Sequence, residues 1–387
     1  MGRKHFKLFT MSKSKLKNPF PVVGYQGSDY FCDREKETAI LTENIENGIS
    51  TTLISVRRMG KTGLIQHVFS RLPAGIKGVY VDIQATENLN QFLSELTTAI
   101  LNAIPQKSGL GEKLWAFVKS MRPVISFDPL YGVPQASFDL KPNETETNIH
   151  SIFRFLDEQD FNTVIAIDEF QQILSYPEKN TDAWLRSAIQ KLKKVVFVFS
   201  GSQQHLMTNL FLSPARPFFR STRMLKLEKI EKDVYANFII TKFKQYGKTI
   251  DSQTVSEMLD WTNVHTFYVQ LLCNTVFGTS DEKVANNSWK DQAGQLLIEQ
   301  ETMFYAYRNM LTKPQWQLLR AIAHEGLVFQ PTSISFLNQF HLGTSATVLR
   351  SLKTLIESDL IYSEFDPEGK KYYSVYDVLF QKWSQMQ

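Results

Sequence analysis

Apolar positions change period twice along this 387-residue chain. From about residue 31 to 230, short continuous apolar runs alternate with stretches whose apolar residues recur every three or four positions. That rhythm predicts strands and helices in turn. The first helix is expected over Phe31–Glu46, and a short β-branched strand follows at Thr51–Val56. A glycine-containing loop then leads into a helix reaching Leu72. A strand at Val79–Ile83 and a strongly periodic helix at Leu89–Ile104 come next. The pattern resumes later with a helix near Thr147–Gln159, a strand at Thr163–Ile167, a helix around Trp184–Leu192, and strands at Val195–Phe199 and Arg223–Leu227. Strands joined by helical crossovers make a parallel sheet with helices on its faces, so an α/β domain built on five strands is expected. One stretch breaks the rhythm: residues 122–141 hold two alternating runs around a Pro- and Gly-containing turn, which reads as an inserted β-hairpin.

Beyond residue 231 the strand signal disappears. Val234–Tyr246, Ser252–Trp261 and Phe267–Phe277 carry helical spacing, and a helical domain is expected over 231–308. The last part, 309–387, reads as helices at Pro314–Ala323, Ser333–Phe340 and Ser345–Ser358, then strands at Leu360–Glu364 and Lys371–Val375 joined by the Asp366–Gly369 turn. Three helices followed by a two-stranded wing predict a winged helix-turn-helix. The α/β domain is placed at 21–230, with 1–20 as a basic tail.

Composition alters this picture little. Hydrophobic residues at 43% and charged residues at 21% fit a chain that folds throughout. The apolar runs are strand length, far short of the roughly 18–20 residues a membrane span needs. The basic start lacks an apolar run of signal-peptide type, and Met11 offers a second start. Cys32 and Cys273, far apart, give neither a disulfide framework nor metal-ligand spacing, so a cytoplasmic protein is expected. Much of the net charge of +4 lies in the tail and says little about nucleic acid.

The chemistry concentrates at Ser55–Thr62, S-V-R-R-M-G-K-T, between a predicted strand and a predicted helix. It follows the phosphate-loop pattern of Gly, four residues, then Gly-Lys-Ser/Thr, with Ser55 in place of the first glycine. Backbone N–H groups at a helix N-terminus point at phosphate oxygens, and the helix dipole favours negative charge there. Arg57, Arg58, Met59, Gly60, Lys61, Thr62 and Gly63 are the loop and helix-start candidates for nucleotide contact. Lys61 supplies a point charge to the β/γ-phosphates and Thr62 a hydroxyl to Mg²⁺. Arg57 and Arg58 have two readings: extra anion clamps, or ion-pair partners tying the loop to a neighbouring domain.

About a hundred residues on, the buried-type strand Val164–Glu169 ends in two carboxylates. Asp168 is expected in the Mg²⁺ ligand sphere, and Glu169 as the base that deprotonates water for attack on the γ-phosphate. The strand ending at Phe199 is followed by Ser200-Gly201-Ser202-Gln203, whose polar tip would sit beside the γ-phosphate if that strand lies between the other two. Ser202 is the candidate sensor, with a plain polar turn as the competing reading. Arg220 and Arg223 are weighed as arginine fingers against surface roles remote from the phosphates, and the latter is preferred.

These residues, together with Phe31-Cys32-Asp33-Arg34-Glu35 upstream, resemble the archaeal-type ATPase family, P-loop proteins of the AAA-like and STAND branch, over about residues 20–387. The resemblance implies a base pocket near Phe31, Asp33 and Arg34, although Cys32 stands where a glycine is usual. It also implies a lid whose Gly-Gly-His-Pro-like signature survives here only as His265, a phosphate-sensing position, and it likewise implies the C-terminal winged helix. With Ser55 and the lid signature irregular, binding of ATP/ADP with Mg²⁺ and slow hydrolysis are expected in a nucleotide-controlled switch. The third helix of the winged helix offers only Arg350 and Lys353 against Glu357, so a protein partner is favoured over DNA. Two rival readings stand beside this one: a nucleic-acid-binding P-loop protein gripping DNA through tail, hairpin and winged helix, and a nucleotide-binding scaffold that does not hydrolyse.

Overall fold

The computed structural model describes residues 16–386 apart from 105, 107 and 131. Most of the expected basic tail, residues 1–15, therefore lies outside the described residues.

Nine strands follow one another along the described chain: β1 Thr51–Ile54, β2 Ile76–Asp82, β3 Val124–Phe127, β4 Pro134–Ser137, β5 Asn162–Asp168, β6 Val195–Ser200, β7 Arg223–Lys226, β8 Ile361–Phe365 and β9 Lys371–Val375. Five of them form one parallel sheet in the order β2-β5-β6-β1-β7. The two middle strands, β5 and β6, are buried along nearly their whole length, because a sheet covered by helices on both faces needs apolar residues at every position.

Alternate residues serve opposite faces. Val164, Ala166 and Val198 pack with Leu41, Ile45, Leu64 and Val68 from helices Glu35–Glu46 and Lys61–Phe69. On the other side Ile165, Ile167, Phe197 and Phe199 meet helices Leu89–Ala103, Pro142–Asp157, Thr181–Ile189 and Gln204–Leu212. That second face holds a nest of rings in which Phe199 lies 4.4 Å from Phe170 and 5.3 Å from Phe211.

The expected hairpin is present as β3 and β4. Hydrogen bonds between Thr98 and Ala136 fasten it to the helix Leu89–Ala103. Before it comes a helix, Gly109–Ser120, that the pattern reading missed, because Gly109 and Gly111 in its first turn read as a loop. Helices Gln204–Leu212, Ser288–Met310 and Val378–Met386 were likewise not individually expected.

A second core gathers the helices Lys232–Gln245, Ser252–Trp261 and Thr266–Thr279 with Trp289, Ala293 and Leu296 of the helix Ser288–Met310. Phe20 is fully buried in it, 5.3 Å from Phe243, and Asn18 and Phe20 exchange hydrogen bonds with Asn274. Residues 18–20, read as tail, are thus built into the helical core; one aromatic ring amid basic residues gives no periodic signal.

The third core joins helices Lys313–Glu325, Ile334–Phe340 and Ser345–Glu357, the antiparallel β8–β9 wing and the helix Val378–Met386, with Phe304 at its centre. Helix Ser288–Met310 contributes to both of these cores, so the second and third units share one rigid rod. Among the described residues no helix is long and apolar enough to cross a membrane.

Candidate nucleotide-binding site

Strand β1 delivers the chain into the loop 55–60 at the C-terminal edge of the sheet, where ligands of open α/β folds collect. Gly60 caps the following helix with φ +96°, a conformation that strains any L side chain, so the glycine is required at this place. Ser55 is not among the positive-φ residues, which explains how serine replaces glycine at the loop's start. Its hydroxyl donates to the Val56 carbonyl at 2.9 Å. Lys61 folds back over this turn, its Nζ donating to Ser55 Oγ at 3.1 Å and to the carbonyls of Ser55 and Val56 at 3.3 and 3.4 Å. Burial pushes its pKa down to about 8, against the opposing pull of the Asp168 and Glu169 charges.

Asp168, at the end of β5, is saturated with hydrogen bonds. Its Oδ2 accepts from Thr62 Oγ1 at 2.6 Å and Tyr80 OH at 2.9 Å, and its Oδ1 from Ser200 Oγ at 2.6 Å and the Glu169 N–H at 3.1 Å. The pair Thr62 and Asp168 presents hard oxygen donors beside the phosphate loop, a set that suits Mg²⁺ completed by phosphate and water. Among the described residues no group of three or more His, Cys, Asp and Glu gathers to hold a metal. A softer or fully protein-bound ion is therefore a poor match for this donor set.

Glu169 turns through the left-handed region, φ 57°, which separates its side chain from that of Asp168. Its Oε2 accepts from Gln171 Nε2 at 2.6 Å and from the N–H and Oγ of Ser202 at 3.0 and 2.7 Å. Strand β6 does lie between β1 and β5, so Ser202 stands beside the two other strand tips. Gly201 makes this approach possible: a Cβ there would fall 2.1 Å from Gln171 Oε1.

The two arginines of the loop face the winged helix. Arg57 Nη2 lies 3.7 Å from Asp359 Oδ2, and the same oxygen accepts from Gln203 Nε2 at 2.7 Å. Asp359 itself is 9% exposed. The Arg58 guanidinium stacks 4.4 Å from the Phe267 ring of the lid, and its charge lowers the pKa of Asp377, which burial raises overall. Asp377 accepts from Tyr268 OH at 3.0 Å. Of the two readings of these arginines, the structure displays inter-domain pairing for Arg57. Together the loop, the lid and the winged helix enclose a cavity of about 820 Å³ lined by Lys61, Thr62, Asp168, Glu169, Ser202 and Asp359 among others.

His265 caps the helix Thr266–Thr279 and, with its pKa driven down to about 4 by burial, is neutral. Its Nε2 lies 3.0 Å from the Arg57 carbonyl, to which it donates. It thus holds the loop from the lid side, and it also lines the large cavity.

A second cavity of about 120 Å³ opens beside the first, with Gly60, Gly63 and Gln270 common to both. Phe31, Arg34 and Met59 line it. Phe31 stacks on His67 at 4.1 Å. The guanidinium of Arg34 is engaged within the protein, with Glu37 at 2.8 Å and the Met59 carbonyl at 3.5 Å, so it shapes the loop from behind. Asp33, the remaining residue of this segment singled out by resemblance, lines neither cavity.

Arg220 and Arg223 precede and begin β7, whose first residue pairs with Thr51 at the start of β1. They sit at the edge of the sheet opposite the phosphate loop, and Arg223 bonds Asn44 at 2.9 Å. Neither serves as an arginine finger in this chain's own site. Sequence reasoning missed Tyr80, Ser200, Gln171, Asp359 and Asp377. The first three are single polar residues in or after apolar strands, and the last two look like ordinary wing charges until the domains dock.

Sheet order, loop and carboxylate pair together define the class: a P-loop ATPase fold carrying a helical lid and a C-terminal winged helix. The comparisons agree. Residues 302–386 match a family model described as "Probable winged helix domain". The Walker-type ATPase PABY2304 of Pyrococcus abyssi superposes with a TM-score of 0.66 at 16% identity, over 95% of this chain and 99% of that one. The ORC2 protein of Aeropyrum pernix, in its ADPNP–ADP complexes, gives 0.51 at 12% identity over 91% and 94%. No curated protein sequence matches the chain. The resemblance to archaeal P-loop ATPases drawn from the motifs is thus a resemblance of the whole fold.

Proposed function

We propose that this chain binds Mg-ATP between the α/β part (residues 21–230) and the helical lid (231–308), hydrolyses it slowly, and uses the nucleotide state to set the position of the winged helix (309–387). The observation that carries the reading is the contact of Asp359 with both Arg57 in the phosphate loop and Gln203 at the tip of β6. An anion entering the loop competes with Asp359 for that arginine, and hydrolysis returns the arginine to it.

Each site residue has a defined task. The loop amides and Lys61 receive the phosphates; Lys61 exchanges its bonds to Ser55 and Val56 for phosphate oxygens and regains its full charge. Thr62 and Asp168 hold Mg²⁺, which when bound neutralises charge on the β- and γ-phosphates. Glu169 accepts the proton of the attacking water, and Ser202 couples its carboxylate to the γ-phosphate position. The three donors on Glu169 Oε2 have to be rearranged before that oxygen takes a water, in keeping with slow turnover. The partner is read as a protein: the helix-turn-helix exposes Ile334 and Leu349 with few cations around them. The wild type and Glu169→Gln are compared in single-turnover ATP hydrolysis with binding measured in parallel. The variant is expected to bind ATP normally and to hydrolyse it at least about a hundredfold more slowly; equal rates would remove Glu169 as the base.

A further inference from the structure

The smaller cavity has apolar and aromatic walls from Tyr25, Phe31, Met59, Ile230 and Tyr235, the lining expected around a flat heteroaromatic ring. One polar side chain in that wall has an unspent valence. Tyr235, fully buried, donates its hydroxyl proton to the Thr266 carbonyl at 3.4 Å, so its oxygen is left to accept. Gln270 Nε2 donates to that oxygen at 3.2 Å. The chain of donors fixes which way the amide is turned: nitrogen to Tyr235, carbonyl oxygen away from it. That oxygen, Oε1, is buried and has no hydrogen-bond partner among the described residues. A buried acceptor left alone is costly, so its position beside an empty ring-shaped space points to a donor on the ligand.

We propose that Gln270 is the residue that selects the base, its Oε1 accepting a hydrogen bond from the exocyclic amine of adenine. The selection works in both directions. Adenine presents an N–H₂ donor on its six-position, whereas guanine and hypoxanthine present a carbonyl oxygen there. Placing a ligand carbonyl against Gln270 Oε1 sets two acceptors together and leaves the protein oxygen unpaired. No guanine-reading Asn-Lys-x-Asp segment occurs in the sequence, and the selection proposed here comes from the lid helix instead of from a loop of the α/β part. This inference rests on the nucleotide-binding reading above.

The test is isothermal titration of the full chain with ADP, IDP and GDP in the presence of Mg²⁺. ADP is expected to bind the wild type at least about tenfold more tightly than IDP, which differs only at the six-position. In Gln270→Met, of similar length but without an acceptor amide, that ratio is expected to collapse toward one, chiefly by weaker ADP binding. Gln270→Glu keeps an acceptor oxygen and is expected to retain the preference for ADP. A general loosening of the lid would weaken ADP and IDP alike and leave their ratio unchanged. An unchanged ratio in Gln270→Met, or equal ADP and IDP affinities in the wild type, would overturn the role of Gln270 while leaving nucleotide binding intact. Binding of no nucleotide by the wild type would instead overturn the function on which the proposal rests.

Discussion

Replacing Asp359 by Asn removes one charge from the contact between winged helix and phosphate loop while changing little else. Residue 359 sits at φ 53°, a conformation that asparagine adopts as readily as aspartate, so the backbone need not move. The amide oxygen can still accept from Gln203. The attraction to Arg57 is what disappears. At 3.7 Å and an effective dielectric near 20, a full ion pair is worth roughly 4 kcal/mol. Arg57, however, is 39% exposed and screened, and Asp359, at 6%, has given up its hydration to be there. Both corrections bring the net contribution to about 1 kcal/mol, roughly a fivefold change in the docking equilibrium. Hydrogen exchange of the nucleotide-free protein reads this directly. Peptides spanning residues 55–60 and 359–376 are expected to exchange about fivefold faster in Asp359→Asn, and the rest of the sheet to be unaffected. Exchange identical to the wild type in both peptides would mean that the ion pair does not hold the winged helix, and the switch would lose its latch.

The depressed pKa of Lys61 gives two further measurable consequences. Its folded value of about 8 lies below the ordinary 10.5, so between those limits the unfolded chain binds more protons and the stability of the nucleotide-free protein rises with pH. Phosphate restores the charge, so ADP binding at pH 8 should take up about half a proton, seen as a dependence of the calorimetric enthalpy on buffer ionisation heat; no uptake would show that Lys61 does not meet the phosphates. At the tip of β6, Gly201→Ala would drive a methyl group to within 2.1 Å of Gln171 Oε1 and 2.8 Å of Met207. A loss of roughly 1–3 kcal/mol in denaturant unfolding is expected, together with slower ATP turnover as Glu169 loses its Gln171 partner; an unaltered midpoint would show that the neighbours yield freely.

Much of the architecture was legible because it rests on local pattern. Buried parallel strands must be apolar on both faces, which made 163–167 and 195–199 stand out, and the phosphate loop needs Gly60, Lys61 and Thr62 in consecutive places whatever surrounds them. Helices were lost where that logic is weak: Gly109–Ser120 begins with two glycines in three residues, and Val378–Met386 is short and largely buried. The burial of Phe20 among lid helices was invisible for another reason, since its partners Phe243 and Phe277 lie more than two hundred positions away.

The sequence by itself determined the sheet, the loop that meets an anion and the two carboxylates at the end of β5, because each depends on neighbours along the chain. Tertiary structure alone decided what those groups touch. That Tyr80 and Ser200 share Asp168, that Gln171 and Ser202 hold Glu169, and that Asp359 reaches Arg57 are contacts between residues separated by up to three hundred positions, apart from the Gln171 bond. They follow from strand order and domain docking, which are set by the summed burial of whole faces and leave no mark on the residues that end up in contact.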